Sequence, residues 1–147
     1  MDRKVKVIPC SGIGKVFGLM AREAALKTVY ELCPERSETV CLGYIVTGDK
    51  EVKEKIEGFD CITVDGCPKM CAAKNISITG GKIIEEIKVL DTVKDHKGKK
   101  FGSPTRLNDD GEAVMSEIAG KIAKKIDEIP IQTPFMQTMD DNNGYSI

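Results

Sequence analysis

The chain has 147 residues, which is enough for one domain with its own hydrophobic core and no stabilising cross-links. Its 22 basic and 23 acidic residues give a formal net charge of -1, so nothing favours nucleic acid or an anionic membrane surface as a partner. No apolar run is long enough to cross a bilayer, and no apolar segment follows the basic residues near the amino terminus, as it would in a signal peptide. We therefore expect a cytoplasmic protein with no nucleic-acid partner and no membrane partner.

The apolar residues recur with alternating strand and helix periods along the chain. Pro34 and Pro130 follow two of the helical patterns and mark their ends. Residues 95–110 are polar and contain glycine and proline, which predicts an exposed loop. The predicted elements are a strand at 5–9, a helix at 16–32, a strand at 39–46, a helix at 50–57, a strand at 60–64, a helix from 67, a strand at 82–90 and a helix at 112–129.

Strands that alternate with helices predict an α/β fold, a single three-layer domain with a mostly parallel sheet and helices on both faces. We assign residues 1–130 to this domain and residues 131–147 to a C-terminal tail. Ligands of such sheets bind outside the carboxyl ends of the strands. Cys10 follows the first predicted strand, Cys41 lies in or near the end of the second, and Cys67 follows the third. These three cysteines are therefore expected at one edge of the sheet.

The chain contains six cysteines, which is more than average for its length. A small secreted protein would use them in disulfides, whereas clustered cysteines in a reducing compartment are typical of metal ligands or reactive thiols. Cys67 and Cys71 form a C-x3-C pair, and on a helix that begins at Cys67 both sulfurs would share one face. The free N–H groups of that helix end would also stabilise thiolates. With Cys10 and Cys41, the pair completes a set of four ligands for zinc or an iron–sulfur cluster.

Other candidate residues have simpler interpretations. Cys33 and Cys61 are predicted to lie in the core as small apolar side chains. The single histidine, His96, is predicted to be a solvated loop residue. Asp65 is expected either to accept backbone hydrogen bonds in a turn or to orient a cysteine ligand. The glycine-containing loop after Cys10 lacks the residues of a Walker loop, a dinucleotide fingerprint or a cysteine phosphatase, although its N–H groups suit an anion.

The segment Asp65-Gly66-Cys67-Pro68, followed by Cys71-Ala72-Ala73-Lys74, resembles the signature of the DGC-domain proteins, which are described as zinc-binding. Pro9-Cys10-Ser11-Gly12 and Cys41-Leu42-Gly43 are similar to the other cysteine segments of that family, and Leu90-Asp91 before a basic segment is similar too. The resemblance covers residues 5–97. It implies no particular activity, but it implies a zinc site formed by Cys10, Cys41, Cys67 and Cys71. An all-thiolate set suits an iron–sulfur cluster equally well.

Three functions are compatible with these observations. The first is a metal-binding protein that holds zinc or an iron–sulfur cluster, with redox or sulfur-related chemistry. The second is a metal-free thiol enzyme for disulfide exchange or sulfur transfer, with Cys67 as catalytic nucleophile and Cys71 or Cys10 as resolving cysteine. The third is a non-catalytic interaction module with a structural zinc, whose tail from Ile131 recruits a partner. The sequence does not identify that partner as a particular protein or small molecule.

Overall fold

The computed structural model describes residues 3–130 and contains a four-stranded parallel sheet between two layers of helices. This arrangement confirms the predicted three-layer α/β fold. The predicted tail at 131–147 lies outside the described residues. The elements are β1 (Val5–Pro9), α1 (Val16–Lys27) with a π-helical continuation (Thr28–Leu32), β2 (Ser37–Glu38), α2 (Leu42–Val46), α3 (Lys50–Ile56), β3 (Asp60–Asp65), α4 (Cys71–Thr79), β4 (Lys82–Lys88), α5 (Val89–Val93) with a 3-10 continuation (Lys94–His96), and α6 (Asp109–Asp127).

The register of the sheet places the ends of β1 and β3 side by side. The strand order is β2-β1-β3-β4, and every neighbouring pair is parallel. Pro9, the last residue of β1, is paired with Val64, and the N–H of Cys10 donates to the carbonyl oxygen of Val64 over 2.9 Å. The loops that follow β1 and β3 therefore leave the sheet at the same edge, as the sequence predicted for Cys10 and Cys67.

Alternate residues of the strands face the two helical layers, as the two-residue period of a strand requires. Val7 and Ile62 belong to the apolar cluster that includes α1 and α6, and both side chains are fully buried. Ile8 and Cys61 belong to the cluster that includes α2 and α4, and they are also fully buried. The sheet is thus covered on both faces.

The last helix is the most clearly predicted element. Its side chains at Ile118, Ile122 and Ile126 follow one another at four-residue spacing, and all three are 0% exposed. The helix begins after Asn108, whose side-chain oxygen accepts the N–H of Gly111 over 2.8 Å and so caps the first turn. The predicted helix at 112–129 is confirmed as α6, Asp109–Asp127.

The predicted strand at 39–46 is wrong. The second strand of the sheet lies earlier, at Ser37–Glu38, and it pairs with Val5 and Lys6 of β1. The apolar run forms α2 instead, in which Leu42 and Ile45 are buried at helical spacing. The cause is tertiary packing: these two side chains join the apolar cluster that contains α4. Cys41 consequently lies at the start of a short helix and not in a strand.

The predicted exposed loop at 95–110 contributes to the core. Phe101 is 6% exposed and Leu107 is 8% exposed, and both belong to the larger apolar cluster. The ring of Phe101 lies 6.2 Å from that of Phe17, measured between centroids. Most residues of 95–110 are exposed, as predicted, but Phe101 and Leu107 are not, because the polar residues around them in the sequence conceal two positions that pack into the core.

Candidate metal centre

Cys67 lies in a turn and not on a helix. The N–H of Met70 donates to the carbonyl oxygen of Cys67 over 3.2 Å, and Pro68 occupies the second position of this turn, which its fixed φ favours. Met70 has a φ of 55° and is the one non-glycine residue with positive φ among those described. Helix α4 begins only at Cys71. The prediction that Cys67 and Cys71 share one helix face is therefore wrong, because a left-handed residue separates them.

Asp65 sets the start of α4. It is the last residue of β3 and is 2% exposed, and its carboxylate accepts the N–H groups of Ala72 over 2.8 Å and Ala73 over 3.1 Å. These are two of the N–H groups that a helix leaves unpaired at its amino end. Burial raises the pKa of the Asp65 carboxyl, and the two N–H groups lower it. The side chain thus joins the end of β3 to the first turn of α4 and closes residues 66–70 into a loop.

Three glycines allow the backbone segments near Cys10 and Cys67 to touch directly. A Cβ on Gly66 would lie 2.5 Å from the carbonyl oxygen of Phe17 and 2.6 Å from the nitrogen of Gly18. A Cβ on Gly18 would lie 3.0 Å from the Cα of Gly12. Because no side chain fits between these segments, the loop after β1, the start of α1 and the loop after β3 are held against one another.

The environment of Cys10 reports the nearness of Cys67. Burial raises the pKa of the Cys10 thiol, and the charges of Asp65 and Cys67 raise it further. The backbone N–H groups of Gly66 and Gly12 act in the opposite direction, since they stabilise the thiolate. Since the N–H of Cys10 also donates to the carbonyl oxygen of Val64, three residues before Cys67, the loops that carry these two predicted ligands are adjacent.

Cys41 and Cys71 are both exposed. Cys41 directly precedes α2 and Cys71 is the first residue of α4, and the following residues, Leu42 and Ala72, are buried in one apolar cluster. Within residues 3–130, no three His, Cys, Asp or Glu side chains form a group that could hold a metal ion. The set of four ligands thus stays a prediction, in which two members are neighbours and two are exposed.

The remaining cysteines lie in the core, as predicted. Cys61 is 0% exposed and Cys33 is 7% exposed. Burial raises the pKa of Cys61 to about 11, and it also raises the pKa of Cys33. Both side chains are packed inside the apolar clusters, as small hydrophobic side chains are. His96 Nε2 lies 3.3 Å from Glu117 Oε1 on α6, so its observed partner is a carboxylate and not a cysteine.

A cavity of about 320 Å³ lies beside Cys67. Pro68 and Met70 line it from the turn, and Leu90 lines it from α5. Its wall carries the cations Lys88 and Lys94 and also the carboxylate of Asp91, which lies 3.3 Å from Lys94 Nζ. The positions of the cysteines in the sequence do not indicate these residues of β4 and α5, and the segment Leu90-Asp91 is the one signal that points to them.

The donor atoms suit a soft metal ion or cluster, because the candidate ligands are all thiols and the nearby carboxylate of Asp65 is occupied as a helix cap. The family model of the DGC domain matches residues 6–118 of the chain. The cysteines of that family suggest a metal-binding domain. No curated protein and no solved structure matches the chain. None of the helices in residues 3–130 is both long and apolar enough to cross a membrane.

Proposed function

Because the chain belongs to the DGC domain family, we propose that it is a metal-binding protein with four thiolate ligands. The ligands are Cys10, Cys41, Cys67 and Cys71. The adjacency of the loops that carry Cys10 and Cys67 supports this proposal: Pro9 pairs with Val64, the N–H of Cys10 donates to the carbonyl oxygen of Val64, and Gly66 packs directly against the start of α1.

The four ligands divide into two pairs of different character. Cys10 and Cys67 sit on loops that are held together through Gly12, Gly18 and Gly66. Cys41 and Cys71 are exposed and would supply the other two sulfurs. All-thiolate ligation suits zinc or an iron–sulfur cluster, and the cluster would supply electron transfer where zinc would supply a rigid link.

The chain's own residues prepare this edge. Asp65 fixes the first turn of α4 and with it the backbone of Cys71. The turn closed by Met70 directs the chain from Cys67 back to that helix. Lys88, at the neighbouring cavity, would offset part of the negative charge of four thiolates, whereas Lys94 is paired with Asp91 over 3.3 Å.

The proposal is tested by purifying the protein without oxygen, quantifying its bound metals and recording its visible spectrum. We expect either zinc without colour or iron and sulfide with visible absorption. Cys10→Ala and Cys67→Ala should each lower the metal content, whereas Cys33→Ala, the matched control in the core, should leave it unchanged. A colourless, metal-free protein in which Cys10, Cys41, Cys67 and Cys71 all titrate as free thiols would refute the proposal. Unfolding on chelation would identify the metal as structural.

A metal-free thiol enzyme is the second candidate, and the adjacency of the Cys10 and Cys67 loops favours it as well. The Cys67 thiolate would attack a substrate disulfide, form a mixed disulfide and release one substrate thiolate. The Cys10 thiolate would then attack the Cys67 sulfur, release the second substrate thiolate and leave a Cys10–Cys67 disulfide. This sequence makes Cys10, not Cys71, the resolving cysteine.

Alkylation kinetics at neutral pH separate the two candidates. The thiol enzyme requires Cys67 to react much faster than Cys41, and it requires a Cys10–Cys67 disulfide after treatment with a small disulfide. Peptide mapping by mass spectrometry measures both. Equal, slow alkylation of all exposed thiols would exclude this second candidate and would leave the metal proposal untouched.

A further inference from the structure

A second cavity lies at the opposite edge of the sheet from the cysteines. It has a volume of about 450 Å³, within the range of small-molecule sites. Its walls include Val5 near the start of β1, Asp60 at the start of β3, and Lys82 at the start of β4. Ile129 closes it after the end of α6. The amino ends of three strands therefore meet around one concave space that plays no part in the proposed metal centre.

The cavity carries more positive than negative side chains. Its cations are Arg3, Lys4, Arg36 and Lys82, and its carboxylates are Glu35 and Asp60. Lys82 lies 3.9 Å from Asp60, and Arg36 lies 3.8 Å from Asp127 outside the cavity lining. The ion pairs within residues 3–130 do not include Arg3 or Lys4. An excess of positive charge in this cavity contrasts with the net charge of -1 of the whole chain.

Main-chain carbonyls hold these cations in place. Arg3 Nη2 donates to the carbonyl oxygen of Gly58 over 3.0 Å, and its guanidinium carbon lies 4.2 Å from the centroid of the Phe59 ring. Arg36 Nη2 donates to the carbonyl oxygen of Ile129. A guanidinium has five N–H donors, so one bond to a carbonyl orients the group and leaves donors for a ligand. Two guanidiniums are thus oriented in advance at one cavity.

We propose that this cavity binds a small organic oxyanion, a phosphate ester or a carboxylate, through Arg3 and Arg36. Planar guanidinium groups match the spacing of two oxygens in either anion. The cavity exceeds the size of a bare anion, and Val5, Phe59 and Ile129 provide apolar wall for the organic part. The site is separate from the cysteines, so it stands or falls independently of metal binding.

The test uses inorganic pyrophosphate and succinate as probes, titrated into the full-length protein at constant ionic strength. Calorimetry measures affinity, and ¹H–¹⁵N spectra report which amides move. We expect saturable binding of at least one probe, with shifts at residues 58–60 and 35–37 and none at residues 66–71. Arg3→Gln should weaken the affinity by about tenfold or more, since it removes a charged donor. Arg36→Gln should weaken the affinity by a similar factor, provided that α6 stays folded. Arg3 contacts only the loop at Gly58 and Phe59, so Arg3→Gln tests the proposal even if Arg36→Gln disturbs α6.

Lys15→Gln provides the matched control, because Lys15 is exposed beside α1 at the other edge and its replacement removes the same charge. Binding by this variant should equal that of the wild type. Three results would overturn the proposal: no saturable binding of either probe, equal weakening by Arg3→Gln and Lys15→Gln, or shifts spread over all exposed lysines, which would indicate an adventitious ion only.

Discussion

Replacing Gly66 with alanine tests whether the cysteine edge depends on direct backbone contact. The added Cβ would lie 2.5 Å from the carbonyl oxygen of Phe17, whereas ordinary contact begins at 3.4 Å. The loop or the start of α1 must therefore move by about 0.9 Å, the difference between these distances. Gly66 is not among the residues with positive φ, so the effect is steric and not conformational.

The size of the effect follows from what blocks the new atom. Overpacking costs about 1–3 kcal/mol when side chains can adjust. Here the neighbours of Gly66 are backbone atoms of Phe17 and Gly18, which cannot rotate away, so we expect about 3 kcal/mol. A domain with a stability of about 5–15 kcal/mol would remain folded after this loss. The urea midpoint should fall by about 1–3 M, the loss divided by a slope of about 1–3 kcal/mol per M.

Urea unfolding measures the change in stability, and metal content or the alkylation rate of Cys67 measures its effect on the candidate site. Gly120→Ala is the matched control: Gly120 lies in α6 with no atom within 4 Å of an added Cβ. Alanine there should leave the midpoint unchanged or raise it, because it improves helix propensity by about 0.5–1 kcal/mol. If Gly66→Ala unfolded at the same urea concentration as the wild type, the proposed contact between the two loops would be incorrect.

Three further predictions concern stability. Asp65→Ala should lower the free energy of unfolding in urea by about 2–3 kcal/mol, because two buried N–H groups lose their acceptor. Asp65→Asn should lower it less, and equal losses for the two variants would argue against the capping role. Ile122→Ala should cost about 2–5 kcal/mol and Ile122→Val about 0.5–1.5 kcal/mol, and a near-neutral alanine variant would contradict the burial of that side chain. The pKa of Cys61 is raised from 9.0 to about 11, so the fold favours the neutral thiol. The contribution of the Cys61 thiol to the free energy of unfolding is complete below pH 9 and is lost as the pH rises through 11, a loss of about 2–3 kcal/mol in total. Urea unfolding measured over this pH range should show the decline in the wild type and not in Cys61→Ala.

The sequence predicted those parts of the fold that depend on local periodicity. The stripe through Ile118 and Ile122 identified α6, and short apolar runs identified β1 and β3. Parallel strand topology then predicted that Cys10 and Cys67 would meet at one edge, because the carboxyl ends of neighbouring parallel strands leave the sheet together. These inferences need only the spacing of apolar residues and the position of each cysteine after its strand.

The errors arose where distant residues decide the local conformation. Helix α4 begins at Cys71, and not at Cys67, because Asp65 caps it from the end of a strand. Residues 39–46 are apolar enough for a strand, but packing against α4 makes part of them a helix. The role of Gly66 depends on Phe17, which lies far away in the sequence. A local sequence pattern does not reveal these conformations, since each one depends on a contact with residues that are distant in the sequence.

The two apolar layers differ in size, and this difference has a consequence for how the domain opens. Among residues 3–130, the cluster with α1 and α6 contains 19 buried residues, and the cluster with α2 and α4 contains 7. Local opening begins where buried contacts are fewest, so amide hydrogens of α2 and α4 should exchange with solvent before those of α6. Cys41 and Cys71 lie at the amino ends of α2 and α4 in the smaller layer, whereas Cys10 leads into α1 of the larger one. A metal bound by Cys10, Cys41 and Cys71 would link the smaller layer to the larger one. Metal binding should therefore slow the exchange of amide hydrogens in α2 and α4.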